Sequence, residues 1–162
     1  MSDARLVHER FKALERDVRA TTDVSIALTD WLDPADGIGA VIHEAGTEPT
    51  SPVWEVLGYL GGGDCLATHP PQGPHVQFPL SLFPLSADRG DITVDLATQA
   101  QDLVQTLLWL RGLDPTWPPC PEQDHRHPLR AAQHWSLPDL GADTARWECP
   151  HGTFSTRIGD LQ

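Results

Sequence analysis

The segment DITVDLATQAQDLVQTLLWLRG, residues 91–112, constrains the fold of this chain more than any other. Its apolar side chains recur at the spacing of one face of an α-helix: Leu96, Ala100, Leu103, Val104, Leu107 and Leu108. Asp91 or Thr93 can cap the start of this helix. Gly112 follows the last turn and Pro115 prevents continuation. We therefore predict a long core helix whose apolar face packs on a sheet.

The remaining patterns before residue 114 indicate one more helix and several strands. Residues 3–20 have the charged and apolar faces of an amphipathic packing helix. Strand patterns occupy four segments: 23–32, 38–46, 52–60 and 76–83. The turn sequence DPADG, at 33–37, joins the first two as a hairpin. Pro79 lacks the backbone N–H that a central strand needs, so the last of the four is predicted to lie at a sheet edge.

These elements predict an α+β fold, in which a small and mainly antiparallel sheet is packed by two helices. The proline-rich connector DPTWPPCP, at 114–121, ends that arrangement. We place a boundary there, with an α+β domain at 1–114 and a zinc-ribbon-like hairpin appendage at 115–162. The hairpin strands are predicted at 128–135 and 144–149.

Two cysteine and histidine stretches flank the predicted hairpin. They are CPEQDHRHPL, at 120–129, and WECPHGTF, at 147–154. Antiparallel pairing brings the residues before one strand and after the other to the same end. The predicted metal ligands are Cys120, His127, Cys149 and His151. His125 is an alternative to His127, which is preferred because it lies next to the strand.

Zinc is the predicted ion, because it takes four nitrogen or sulfur ligands in a tetrahedron. A segment of this size buries little apolar surface, so a metal crosslink would help to stabilise it. Four protein ligands favour a closed structural site, whereas three would leave a position for water and for hydrolysis. Two metal-free loops, or a disulfide between Cys120 and Cys149, are the alternatives.

The same stretches carry a resemblance. Its pattern consists of five pieces: Cys120-Pro121, His127-Pro128-Leu129, Trp147-Glu148-Cys149-Pro150, Gly152 and Ile158-Gly159-Asp160-Leu161. It resembles the C-terminal tail of small uncharacterised actinobacterial proteins, and it also looks like a degenerate zinc ribbon. The resemblance covers about the last quarter of the chain and implies no particular activity.

A cysteine nucleophile is the main alternative to a metal site. Cys65 lies near His69 and His75, either of which could act as its base, with Asp64 orienting that histidine. A small buried thiol beside a proline-rich loop is the simpler interpretation of this cluster.

The six tryptophans lie in or beside elements predicted to form the core, and any that are exposed would mark a protein interface instead. Trp31, Trp54 and Trp109 fall in elements predicted to build the main core. The others flank the cysteine and histidine stretches, where large rings would form the core of a small hairpin: Trp117, Trp135 and Trp147.

Composition limits the function. The net charge of −12 repels nucleic acid and anionic lipid. No apolar run is long enough to span a bilayer, and the N-terminus lacks a signal-peptide pattern, so we expect a cytoplasmic protein. The three cysteines are an odd number, which argues against a disulfide framework.

We therefore expect a non-enzymatic protein that binds another protein, with structural zinc in its tail. An acidic, immunity-like protein with a basic partner is one version of this hypothesis. An enzyme, specifically a hydrolase using Cys65 or an open zinc site, is the alternative. A second alternative is nucleic-acid binding through the hairpin, which requires four arginines to share one face: Arg126, Arg130, Arg146 and Arg157.

Overall fold

The computed structural model describes residues 3–33, 37–47, 52–54, 65–67, 73–79, 90–122, 126–133 and 145–162. Within these ranges the chain mixes helices with mainly antiparallel sheets, as the predicted class requires. The helices are α1, Asp3–Thr21, and α2, Gly90–Leu110. The strands are β1, Ile26–Asp33; β2, Gly37–Glu44; β3, Pro52–Trp54; β4, Cys65–Ala67; β5, His75–Pro79; β6, Arg130–Gln133; β7, Ala145–Glu148; and β8, Ser155–Arg157.

Both predicted helices are confirmed, and each one buries its apolar face. In α1 the buried residues include Phe11, Leu14 and Val18, which lie on one stripe of the helix. In α2 the whole predicted set from Leu96 to Leu108 is buried. The two helices pack on one another, and α2 also contacts β2 and β5 of the larger sheet.

The larger sheet has the strand order β3-β4-β1-β2-β5. The β1–β2 hairpin is antiparallel from Ile26 opposite Glu44 to Asp33 opposite Gly37, which confirms the predicted hairpin. The turn residues 34–36 lie outside the described residues. β5 lies at the edge of the sheet, as Pro79 predicted. The short strand β4 was not predicted, and it pairs in parallel with β1.

A second sheet is formed by the C-terminal segment, in the order β6-β7-β8. The predicted β6–β7 hairpin is antiparallel, with Arg130 opposite Glu148. The third strand, β8, was not predicted. Ala145 and Trp147 alternate with more exposed neighbours along β7, so one face of this sheet is buried.

The two sheets share one hydrophobic core. The buried cluster runs from Leu14 and Leu103 on the helices to Trp117, Leu129 and Trp147 of the C-terminal segment. The division at residue 114 stays a prediction, but the described residues on its two sides are packed together.

The tryptophans divide into two groups. Trp117 and Trp147 are fully buried and meet edge to face, with ring centroids 5.4 Å apart, as expected for a hairpin core. The core prediction for Trp109 is wrong, because its side chain is 68% exposed. Trp135 and the side chains of Trp31 and Trp54 lie outside the described part of the chain.

Candidate metal centre

The first candidate loop is held closed by its own backbone. Pro119 and Pro128 form an antiparallel bridge. The Cys120 N–H donates to the His127 carbonyl oxygen at 3.3 Å, and the Leu129 N–H donates to the Pro118 carbonyl oxygen at 2.7 Å. These contacts place Cys120 and His127 side by side. The intervening residues 123–125, including His125, lie outside the described residues.

The second candidate loop lies between β7 and β8. Cys149 directly follows β7, and its N–H donates to the Phe154 carbonyl oxygen at 2.9 Å. The side chain of Cys149 is buried at the edge of the core. Since β6 pairs with β7, Cys149 comes to the same end of the sheet as the first loop, as the hairpin argument predicted.

Three of the predicted ligands are brought together. One ligand atom from each of Cys120, His127 and Cys149 lies within 4.8 Å of the other two. His127 Nε2 is 3.5 Å from Cys149 Sγ. Both cysteines are free thiols. These three side chains therefore lie close enough to hold a metal ion.

The orientation of His127 also suits metal binding. Its Nδ1 is 2.9 Å from the Pro128 carbonyl oxygen. A carbonyl oxygen only accepts hydrogen bonds, so Nδ1 carries the proton and Nε2 presents its lone pair towards Cys149. A histidine ligand held through its second nitrogen in this way is the usual arrangement in protein metal sites.

His151, the fourth predicted ligand, lies beside this group. Its ring is nearly perpendicular to that of His127, at 86°, with centroids 5.1 Å apart. The side chain is exposed and does not join the group of three within 4.8 Å. Its role as a ligand stays a prediction.

Glu122 joins the two loops and was missed by the sequence analysis. Its carboxylate accepts hydrogen bonds from the Thr153 N–H at 3.1 Å and from the Thr153 hydroxyl at 3.2 Å. The Cys120 Sγ lies 3.9 Å from the same carboxylate. A β-carbon on Gly152 would overlap this carboxylate, so a larger residue there would displace the end of the Glu122 side chain. The Gly after Cys-Pro-His was the one sequence signal for this close approach.

The thiol of Cys149 is protonated at neutral pH. Burial raises its pKa to about 11, and the nearby Glu122 carboxylate and Cys120 act in the same direction. Zinc binds the thiolate form, so metal binding at Cys149 would displace a proton.

Polar contacts fix the second sheet to the helices. Asp17 of α1 is buried and accepts three hydrogen bonds: from Trp147 Nε1 at 2.7 Å, from the Gly159 N–H at 2.7 Å and from the Leu161 N–H at 2.9 Å. Burial raises the pKa of Asp17, and these donors act in the opposite direction. The carboxylate therefore anchors the segment on both sides of Cys149.

Helix α2 holds the first loop in a similar way. Gln101 Nε2 donates to the carbonyl oxygens of Trp117 and Leu129, at 2.9 Å and 2.7 Å. Gln105 Nε2 donates to the same Trp117 oxygen at 2.9 Å. No local pattern predicts these two amides as anchors, because their partners lie in a different part of the chain.

The sheet topology bears on the alternative nucleophile Cys65. Its strand, β4, is separated from the strand of His75, β5, by β1 and β2. Three inter-strand spacings amount to about 14 Å, too far for a hydrogen bond. The topology therefore counts against a Cys65–His75 pair. Asp64 and His69 lie outside the described residues.

Three of the four arginines considered for nucleic-acid binding share one face of the second sheet. Arg130 lies opposite Glu148, and Arg146 lies opposite Arg157. These positions alternate with the buried Ala145 and Trp147, so they lie on the outer face. Arg126 precedes the strands and lies outside this face.

Comparisons of the chain with known proteins identify no family for it. No protein-family model, curated protein or solved structure was found to match the chain. In the described part of the chain, neither helix combines the length and the apolar content that crossing a membrane requires.

Proposed function

We propose that the Cys/His group binds a structural Zn²⁺ ion through Cys120, His127, Cys149 and His151. The observation that carries this proposal is the convergence of two thiols and an imidazole nitrogen within 4.8 Å. Two sulfur and two nitrogen ligands form a common structural zinc shell. His151 is an exposed side chain whose ring centroid lies 5.1 Å from that of His127, which makes it the candidate for the fourth position.

Zinc at this position would crosslink the two loops that flank the β6–β7 hairpin. On this proposal the C-terminal segment is a zinc-ribbon-like element, extended by β8. The ion adds to the polar anchors of Asp17 and Gln101, which attach the same segment to the helices.

Elemental analysis of the purified protein tests the metal directly. We expect one zinc per chain in the wild type and a loss of zinc in Cys120→Ser and Cys149→Ser. Cys65→Ser is the matched control, because its strand lies in the other sheet, and it should keep the metal. The site would be rejected if purified wild-type protein contained no metal and the two cysteine variants were as stable as the wild type.

The fourth ligand needs its own variants. His151→Ala should lower zinc affinity. It should also shift the absorption bands of the Co²⁺-substituted protein, because the energy and intensity of those bands depend on the ligands. His125→Ala is the comparison, because His125 is the alternative imidazole. A shell of four protein ligands supports a structural site, whereas three ligands and a water would favour the hydrolase alternative.

We further propose that the whole molecule is a non-enzymatic, cytoplasmic protein that binds another protein. Its net charge of −12 favours a basic partner. A reducing compartment would keep Cys120 and Cys149 as thiols, the form that can take up metal. Binding to such a partner should weaken as the salt concentration rises.

Nucleic-acid binding is a second candidate, favoured by the arginine face of the second sheet. Arg130, Arg146 and Arg157 share this face with one acid, Glu148, although the chain as a whole is acidic. A labelled single-stranded oligonucleotide, followed by fluorescence anisotropy, tests this candidate. Arg146→Gln should weaken binding and flatten its salt dependence, while Arg5→Gln on α1 should not. No binding at low salt would eliminate it.

A further inference from the structure

The C-terminal end of α2 exposes large apolar side chains. Trp109 is 68% exposed, Leu110 57% and Leu113 49%, which makes them the exposed large hydrophobic residues of the described part of the chain. Leu107 and Leu108 occupy the core-facing positions of the last turn, so the next two residues are turned towards solvent. We call Trp109, Leu110 and Leu113 the apolar patch.

The apolar patch is held in a fixed geometry. Gly112 has a positive φ of 70°, and its N–H donates to the Trp109 carbonyl oxygen at 2.9 Å. The Leu113 N–H donates to the Leu108 carbonyl oxygen, also at 2.9 Å. These two bonds form a Schellman motif, which ends the helix and fixes Leu113 beside its last turn. A patch ordered in advance loses less entropy when it binds.

Trp109 also lies on an open and nearly flat part of the outer surface of α2, which it shares with Asp102, Gln105 and Thr106. Asp102 is two helical turns from Trp109, roughly 10 Å along the axis. An aromatic face at one end and a carboxylate at the other can bind a long cationic side chain through its alkyl stem and its charge.

Negative charge lies at both ends of the apolar patch. Asp102 is exposed at one end, and Asp114 directly follows Leu113 at the other. Hydrogen bonds from Thr116 lower the pKa of Asp114, with a smaller contribution from the positive charge of Arg126. Asp114 is therefore ionised at neutral pH, where it adds to the negative end of the helix dipole.

The basic residue nearest to the apolar patch in sequence is directed elsewhere. The last turn of α2 contains no basic residue. Arg111 follows it, and its guanidinium donates to the Glu44 carboxylate and the Asp23 carbonyl oxygen. The positive charge of Arg111 is thus directed towards Asp23 and Glu44 and not towards Asp102 or Asp114.

We propose that the apolar patch is the docking surface for a protein segment that carries a large apolar side chain flanked by lysine or arginine. This inference rests on the proposed protein-binding function and names its surface and the chemistry of its partner. The apolar side chain packs on Trp109 and Leu113, and the flanking cations face Asp102 and Asp114. Contiguous exposed apolar residues within a charged rim are typical of protein interfaces.

Binding of a designed peptide tests the docking surface. The probe is a short amphipathic peptide with a leucine stripe and lysine or arginine elsewhere; its partner probe has glutamate at every basic position. We expect wild-type protein to bind the basic peptide and not the acidic one. Trp109→Ala should weaken binding about tenfold, as hot-spot aromatic residues do. Asp102→Asn should weaken it by about threefold and reduce its salt dependence.

Thr98→Ala, an exposed change earlier on α2, is the matched control and should bind as the wild type does. Equal binding of both peptides, or unchanged binding by Trp109→Ala, would overturn the proposal. So would self-association of the wild type that Trp109→Ala abolishes, because the occupant would then be a second copy of the chain. Zinc content is measured on the same samples. If Trp109→Ala contains normal zinc and binds the basic peptide as the wild type does, the docking surface is rejected while the metal site is unaffected.

Discussion

The two sheets of this protein are attached to the helices by different means. Aliphatic side chains such as Ile26, Ala40 and Ile42 pack the hairpin β1–β2 on α1 and α2. The polar links of this hairpin, from His8 to Asp30 and from Arg111 to Glu44, are only partly buried. The second sheet also buries Trp147, but buried or partly buried polar groups hold it in addition, namely Asp17 and Gln101. A short three-stranded sheet offers little apolar area, so directional bonds and the proposed zinc ion supply part of its stability. The stability of the second sheet therefore depends more on a few directional contacts than that of the β1–β2 hairpin does.

Removal of zinc is expected to have the largest effect, and it should act on the second sheet. A structural zinc ion contributes on the order of 10 kcal/mol of apparent binding energy in small isolated domains, and part of that would be lost here. Hydrogen exchange with and without a chelator measures the loss residue by residue. The N–H groups of Cys149 and Ile158, which bond within this region, should lose protection, while those of β1 and β2 keep most of theirs.

Uniform loss of protection in both sheets would contradict this expectation, because it would mean that the metal supports the entire core. Cys65→Ser with chelator serves as the control and should behave as the wild type does.

Asp17→Ala is expected to cost about 3 kcal/mol, since it leaves three N–H donors of the C-terminal segment without their acceptor. The donors are Trp147 Nε1 and the backbone groups of Gly159 and Leu161. Thermal or urea unfolding measures the change. Asp160→Asn removes an exposed acid from the same segment and should change stability by less than about 0.5 kcal/mol. Equal effects of the two variants would show that Asp17 is no anchor.

Gly152→Ala is expected to cost no more than about 1 kcal/mol, because the new methyl group displaces the flexible end of the Glu122 side chain and weakens its hydrogen bonds to Thr153. The loss should be partly relieved in the double variant Gly152→Ala, Glu122→Ala, since the overlap is then absent. A double-mutant cycle on unfolding free energies measures this coupling. Strictly additive effects would mean that the two residues do not meet. Gly46→Ala is an instructive comparison, because its φ of 89° is strained by a side chain although no atom crowds it.

The periodicity of apolar residues in the sequence predicts the elements whose formation depends on nearby residues. Both helices, the β1–β2 hairpin, the edge position of β5 and the β6–β7 pairing are confirmed, since each depends on residues close in sequence. The strands β4 and β8 were missed because three residues are too few to show a period. Trp109 was misplaced on its apolar character alone, although strict helical spacing from Leu107 and Leu108 directs it outwards.

The candidate metal ligands were predictable from local sequence, but the residues that hold the two loops in place were not. Cys120, His127 and Cys149 follow from their residue types and from the hairpin. Glu122, Asp17 and Gln101 act across long separations in sequence, and an ordinary polar residue on an exposed or amphipathic segment looks the same whether or not it has such a partner. Only the tertiary structure distinguishes them.

The smallest expected effect lies on the exposed face of α1. Arg19 donates to Glu15 across one turn of α1, at 2.6 Å, with the arginine side chain 66% exposed. An exposed pair of this kind contributes about 0.3–0.5 kcal/mol, so Glu15→Gln should lower stability by no more than that and less in high salt. Asp17, two residues away on the same helix, differs because it is buried and bonded to the second sheet. A loss at Glu15 as large as that at Asp17 would remove the distinction, because exposed and buried polar contacts would then matter equally.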